Sequence, residues 1–278
     1  MVSRKPDWLR VKVPGGSAFG KVRQVLSENS LHTVCDEALC PNKAECWGSG
    51  TATFLILGDV CTRNCGFCAV KSGKNGMPLD DEEPARLADA VRKLGLAYVV
   101  LTSVDRDDLP DSGSRHYAEC VKAVKDVGAR VEVLIPDYVG DELATVVGSG
   151  PEVVAHNIEV VKRLQDLRDV RASYERSLQT LREVKDINDG VKTKSSIMLG
   201  LGESEEDVLR TMDDLRGAGC DFLILGQYLQ PGSKQAPVVE YVRPEVFTQY
   251  GEEAALRGFD NVISEPLART SYHAASLF

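Results

Sequence analysis

Six of the eight cysteines in this 278-residue chain fall between positions 35 and 68, in two triads of different spacing. The first is Cys35-x4-Cys40-x5-Cys46 and the second is Cys61-x3-Cys65-x2-Cys68. Three thiolates are one ligand short of a closed four-ligand iron–sulfur or zinc site. Such a site keeps one coordination position for another group, and two of them in one chain indicate an enzyme rather than a structural clip. The C-x3-C-x2-C spacing wraps three thiolates around one corner of a [4Fe–4S] cube and leaves the fourth iron free. Zinc, the alternative, wants paired C-x2-C knuckles, and no second pair follows. Phe67, just before the last cysteine, is placed to shield a cluster or to stack on a planar ligand. Cys120 and Cys220 stand alone and read as small buried hydrophobes.

Composition narrows the class. The chain carries 33 basic and 42 acidic residues, a net charge of −9, which argues against general nucleic-acid binding. A hydrophobic content of 43% and a charged content of 27% are ordinary for a soluble globular protein. The N-terminus MVSRKPDWLRVKVPGG has no apolar h-region, and no apolar run approaches the ~18 residues of a membrane span. A cytoplasmic protein is expected. In that compartment eight cysteines point to metal or catalysis rather than to disulfides.

From residue 52 onward, short apolar runs alternate with amphipathic helical stretches. The runs are 52–58, 97–102, 130–135, 152–158, 193–199 and 222–226. Near-continuous apolar strands separated by helices predict a parallel sheet buried on both faces. Six such units predict an α/β fold, a partial (β/α)6 TIM-like barrel; a doubly wound sheet shares the pattern. SEED at 204–207 opens a helix with a serine cap followed by acidic residues. Three divisions follow: an N-terminal arm at 1–50 carrying the Cys35 triad, the (β/α)6 domain at 51–258, and a C-terminal extension at 259–278. The Cys61 triad directly follows the first strand, at the edge where α/β folds place their active sites.

This spacing, with an aromatic before the third cysteine, resembles the radical S-adenosylmethionine superfamily. The resemblance implies Cys61, Cys65 and Cys68 as catalytic cluster ligands, with the open iron holding S-adenosylmethionine and its reductive cleavage giving a 5′-deoxyadenosyl radical. The segment TVCDEALCPNKAECWGSGTATFLILGDVCTRNCGFCAV resembles the lipoyl synthase family closely, as do KPDWLRVKVP, TSVDRDDLPDSG and GQYLQPG. In that family the first triad, here Cys35, Cys40 and Cys46, holds an auxiliary [4Fe–4S] cluster whose fourth ligand is a serine of an Arg-Ser-Ser-Tyr motif. Here the motif reads Arg269-Thr270-Ser271-Tyr272, which leaves Ser271 as the ligand with the Thr270 hydroxyl as its substitute. Without the family, Ser271 reads as a turn cap.

The resemblance implies two [4Fe–4S] clusters, S-adenosylmethionine, and a sulfurtransferase that inserts sulfur at C6 and C8 of a protein-bound octanoyl chain. It implies as partners an octanoylated lipoyl carrier domain or glycine-cleavage H-type protein, and a low-potential donor such as flavodoxin or ferredoxin. No nucleic acid or membrane is expected as a partner, and nothing in the chain demands a second subunit.

Weaker motifs fill in the S-adenosylmethionine side. Gly200, Gly202 and Glu203 follow the fifth strand, where the resemblance places the cofactor's adenosyl or methionine part. Asn157 and Glu159 after the fourth strand, Lys194 and Ser196 on the fifth, and Gln227 after the sixth point to the same mouth. Read alone, an Asn or Glu at a strand end is as often a helix cap. His156 reads as a hydrogen-bonded core residue, and Asp105, Asp107 and Asp108 around Arg106 as a salt-bridged loop. The family continues past GQYLQPG with a His, where this chain has Gly232-Ser233-Lys234-Gln235. Two rivals remain at this point: another two-cluster radical enzyme, and an electron carrier or cluster scaffold without catalysis.

Overall fold

A computed structural model describes residues 4–11 and 15–277. The last part of the KPDWLRVKVP motif, 12–14, lies outside the described residues. The fold is α/β, built on mostly parallel strands as expected. Each of the six expected strands forms. The chain divides into two compact units, Val11–Arg63 with Ala69–Val154, and Met1–Arg10 with Asn64–Cys68 and Ala155–Phe278.

The first unit opens with α1 (Ser17–Glu28), β1 (His32–Thr33), α2 (Val34–Glu37) and α3 (Lys43–Gly48). Then come β2 (Thr53–Ile56), the short strands β3 (Val60–Cys61) and β4 (Lys71–Ser72), and α4 (Glu83–Leu94). It closes with β5 (Tyr98–Ser103), α5 (Ser114–Asp126), β6 (Arg130–Leu134), α6 (Gly140–Val147) and the start of β7 (Val153–Ala155). Its strands run in the order β1-β2-β5-β6. Parallel registers pair Thr53 with Val100 and Tyr98 with Arg130, while β1 pairs antiparallel to β2. β1 thus adds an edge strand to the sheet. Leu87 and Val91 of α4, Tyr117, Val121 and Val124 of α5, and Leu101 and Val133 of the sheet are buried. Truncating one such leucine to alanine costs about 2–5 kcal/mol.

The second unit holds α7 (Tyr174–Ile187), β8 (Lys192–Leu199), α8 (Glu205–Gly217), β9 (Phe222–Gln227), α9 (Pro244–Leu256) and β10 (Asn261–Ser264). β8, β9 and β10 are parallel neighbours in that order. The sequence pattern did not separate β10 from the tail, because its four residues are all only half-buried and lack the continuous apolar run of β9. α8 starts with the expected cap. The Ser204 hydroxyl accepts from the Asp207 N–H at 3.2 Å, and the Asp207 carboxylate accepts from the Ser204 N–H at 2.9 Å, a reciprocal capping box. Leu181, Leu199, Met212, Leu215, Leu223 and Phe247 form this unit's core. Cys120 and Cys220 are fully buried, one in each unit, as their surroundings predicted. Among the described residues no helix is long and apolar enough to cross a membrane.

Candidate functional site

All eight cysteines are free thiols. Cys35 sits buried in α2, a single turn whose N-terminus is capped by the Thr33 hydroxyl. The Cys40 N–H donates to the Cys35 carbonyl at 3.1 Å, and Cys46 follows in α3. Burial pushes the Cys35 thiol up to about 11, with the neighbouring Cys40 adding to the rise. Burial and then Cys35 and Cys40 push Cys46 up to about 12. With ionisation resisted at Cys35 and Cys46, the triad is a donor set that a cationic cluster would neutralise, releasing protons as it binds. The Trp47 indole N–H faces the Cys35 sulfur and works against that rise, but stands outside full hydrogen-bond geometry, so its buried Nε1 is left without a close partner. This environment fits a thiolate-bound cluster.

The CTRNCGFC segment is laced at each step. Cys61 lies on β3, and its carbonyl accepts from the Gly73 N–H at 2.9 Å. Its sulfur accepts from the Arg63 N–H at 3.4 Å and lies 3.7 Å from Asp105 Oδ2. The Cys65 sulfur accepts from the Asp169 N–H at 3.3 Å. Gly66 donates to the Leu167 carbonyl at 2.7 Å and accepts from the Ala236 N–H at 2.8 Å. The Gln235 amide donates to the Cys68 carbonyl at 3.1 Å, so the chain's departure from the family pattern still supplies a donor here. Backbone N–H groups aimed at sulfur favour thiolate, the form that ligates iron. The donor set again fits.

Arg63 is the residue that sequence reasoning missed. Its Nε lies 3.1 Å from Asp105 and 3.2 Å from Asp107, and its Nη1 meets Asp137. Burial opposes the guanidinium charge, but the three carboxylates outweigh it and hold the pKa above its ordinary value. Burial pushes the Asp105 carboxyl up to about 6 against the pull of Arg63. The acidic loop is salt-bridged as expected, yet divided. Asp108 pairs with Arg106 at 2.9 Å, while Asp105 and Asp107 hold the cysteine loop. No local signal links Arg63 to Asp137, 74 positions away.

The remaining candidates fall in the second unit. Phe67 packs with Val160, Leu201 and Tyr228. Thr270 Oγ1 lies 3.0 Å from Asn157 Oδ1 and 3.1 Å from Ser196 Oγ, and the Asn157 amide donates to Glu159 at 3.1 Å. Two of the expected residues, Asn157 and Ser196, therefore meet the C-terminal motif, and Glu159 holds one of them. Lys194 is fully buried on β8, and His156 hydrogen-bonds Ser177 at 2.9 Å. Glu203 accepts from the N–H groups of Gly200 and Leu201 at 2.5 and 3.0 Å, closing the turn that also holds Gly202. The Gln227 amide nitrogen donates to the Leu199, Tyr228 and Glu240 carbonyls, and its oxygen accepts from the Val242 N–H at 2.8 Å. Its side chain is committed to backbone. Ser271 lies in the turn closed by the Tyr272 N–H to the Arg269 carbonyl at 2.9 Å.

Comparison with known proteins agrees with this geometry. The radical SAM superfamily matches residues 55–215, and the N-terminal domain of lipoyl synthase of the radical SAM family matches residues 2–40. A lipoyl synthase of Anaeromyxobacter sp. is 52% identical over 282 residues, covering 100% of this chain and 96% of the relative. One from Halorhodospira halophila is 51% identical, covering 98% of this chain and 83% of the relative. The crystal structure of methylornithine synthase shares the fold, with a TM-score of 0.55 at 16% identity over 92% of this chain and 85% of that one. Half of all positions are identical from end to end in proteins of one name, and the radical SAM match spans the cysteine loop and five of the six expected strands. This chain belongs to the lipoyl synthase family of the radical SAM superfamily.

Proposed function

We propose that the chain is a radical sulfurtransferase that inserts two sulfur atoms, at C6 and C8, into an octanoyl chain carried on a lysine of a partner protein. The observation that carries this reading is the 52% identity to a lipoyl synthase across the whole chain. When bound, S-adenosylmethionine and two [4Fe–4S] clusters supply the one-electron route to unactivated C–H bonds and the sulfur to be inserted, chemistry that amino-acid side chains cannot perform.

The chain's own residues hold and orient these groups. Cys61, Cys65 and Cys68 are the ligands of the first cluster. The N–H groups of Arg63 and Asp169 hold two of those sulfurs as acceptors. Cys35, Cys40 and Cys46 hold the second cluster, with Ser271 of the 259–278 extension as its hydroxyl ligand. A hydroxyl is a weaker iron ligand than a thiolate, which suits a cluster that must give up sulfur. Asn157, Glu159, Lys194, Ser196, Gly200 and Gly202 line the S-adenosylmethionine side of the 51–258 domain. Glu203 and Gln227 serve it through backbone contacts. Phe67 shields the loop by packing.

The function requires an octanoylated carrier and a reductant. Within that requirement, the carrier is a lipoyl domain or a glycine-cleavage H-type protein, and the donor a flavodoxin or ferredoxin. A reducing cytoplasm suits the eight free thiols. The test is anaerobic reconstitution followed by reaction with an octanoyl-lysyl peptide and a strong reductant. The expected product is heavier by two sulfurs, with 5′-deoxyadenosine formed alongside. Full iron loading without any 5′-deoxyadenosine would overturn the assignment.

A further inference from the structure

Four residues before Cys61, the peptide of Leu57 is gripped from both sides. Its N–H donates to Glu83 Oε2 at 3.1 Å, and its carbonyl accepts from Arg106 Nη1 at 3.1 Å. Both gripping side chains are buried, Glu83 at 6% exposure and Arg106 at 3%. Each is itself held. His116 Nε2 lies 2.7 Å from the same Glu83 oxygen, and Asp108 receives Arg106 at 2.9 and 3.0 Å. Leu57 has a φ of 69°, in the left-handed region where an L side chain is strained. Its side chain presses on Gly113, where an added Cβ would stand 2.8 Å from Leu57 Cδ1. A strained, fully buried leucine persists only where its surroundings over-determine it. Burying a carboxylate and a guanidinium is itself costly unless both are hydrogen-bonded, as they are here.

Glu83, His116 and Cys120 also bring three potential ligand atoms within 4.8 Å of one another. Glu83 and His116 stand at direct hydrogen-bond distance, and Glu83 already accepts from Leu57, so the trio reads as an anchor rather than a metal site. Beyond Leu57 the chain turns through Gly58 into β3 and Cys61. Nothing in the chemistry of the cysteines themselves requires this grip.

We propose that Glu83, backed by His116, and Arg106, backed by Asp108, form a clamp on the Leu57 peptide that sets the direction in which Cys61 is presented to its cluster. These are positioning residues. The proposal rests on the reading of Cys61 as a cluster ligand, and the experiment separates the two.

In a Cys35→Ala, Cys40→Ala, Cys46→Ala background only the Cys61 cluster loads. Its electron paramagnetic resonance signal is recorded after reduction, with and without S-adenosylmethionine, alongside iron and sulfide content. The background protein should load one cluster whose signal shifts on adding S-adenosylmethionine; a cluster that never forms or never shifts overturns the Cys61 reading and the clamp with it. Glu83→Ala should weaken S-adenosylmethionine binding roughly tenfold, read from the concentration needed for the shift, as one lost charge-assisted hydrogen bond would. Glu83→Gln, which keeps an acceptor oxygen at the same reach, should restore most of it. Leu87→Ala, one turn along the same helix and buried with no side-chain hydrogen-bonding group, controls for loss of stability and should keep the parental response. A parental response in Glu83→Ala, or an equal loss in Leu87→Ala, overturns the clamp. Arg106→Lys, which leaves Glu83 in place, should show the same weakening, and a parental response there also overturns it.

Discussion

Thr270 and Ser271 are adjacent hydroxyls with different surroundings. Thr270 is 8% exposed, and its oxygen lies at hydrogen-bond distance from both Asn157 and Ser196. That hydroxyl anchors the turn, and within the proposed function this makes Ser271 the hydroxyl offered to iron. Thr270→Ser should keep the anchor and behave as the parent. Thr270→Val keeps the shape but leaves buried Ser196 and half-buried Asn157 with a lost partner, so it should cost about 1–3 kcal/mol in urea unfolding. Iron per chain should be unchanged in both, while Ser271→Ala should lose iron from the Cys35 triad during gel filtration. The reverse pattern would hand the ligand role to Thr270. The sequence raised this choice because the family's first serine is a threonine here. It could not decide it, since Asn157 and Ser196 lie 113 and 74 positions away from Thr270.

At the scale of elements, the loop after β8 shows how backbone rather than side chain builds the mouth. Gly200 has a φ of 94°, and a Cβ there would stand 2.2 Å from the Gln227 amide nitrogen and 2.3 Å from the Glu240 carbonyl. Gly200→Ala therefore meets both backbone strain and a clash with a saturated hydrogen-bond node. We expect it to cost about 2–4 kcal/mol, read as a fall in the urea midpoint at constant slope. A loss below about 0.5 kcal/mol would mean the turn relaxes without disturbing Gln227. The bare G-x-G in the sequence was indistinguishable from ordinary turn punctuation. What gives it weight is Gln227, spent on the backbone around the turn rather than held out toward a ligand. The strands themselves were legible because apolar runs buried on both faces carry an unmistakable pattern. β1 and β10 were not, being two and four residues long without such a run.

For the molecule as a whole, the two triads call for separate tests because they sit in different chemical settings. The Cys35 triad lies among short helices, where burial and neighbouring cysteines push the Cys35 and Cys46 thiols up. The Cys61 triad lies in a loop where two of the three sulfurs, Cys61 and Cys65, already receive backbone N–H groups. Replacing Cys35, Cys40 and Cys46 by alanine should abolish sulfur insertion while 5′-deoxyadenosine still forms. Replacing Cys61, Cys65 and Cys68 should abolish both. Equal loss in the two variants would show that the sites do not act separately. Of the six triad cysteines only Cys35 is buried in the core, so both variants should give far-ultraviolet circular dichroism like the parent's.

The order of the cysteines, their spacing and the alternation of apolar runs lie in the primary structure, because ligand spacing and strand burial are local properties. From them came the donor sets, the α/β class and the family. Only the tertiary structure decided that Arg63 is shared among Asp105, Asp107 and Asp137, that Thr270 is held by Asn157 and Ser196, and that Glu83 and Arg106 grip Leu57. Each of these is a buried polar contact between residues far apart in the chain. A buried charge or hydroxyl must find a partner, but nothing in its immediate neighbours says which one it finds.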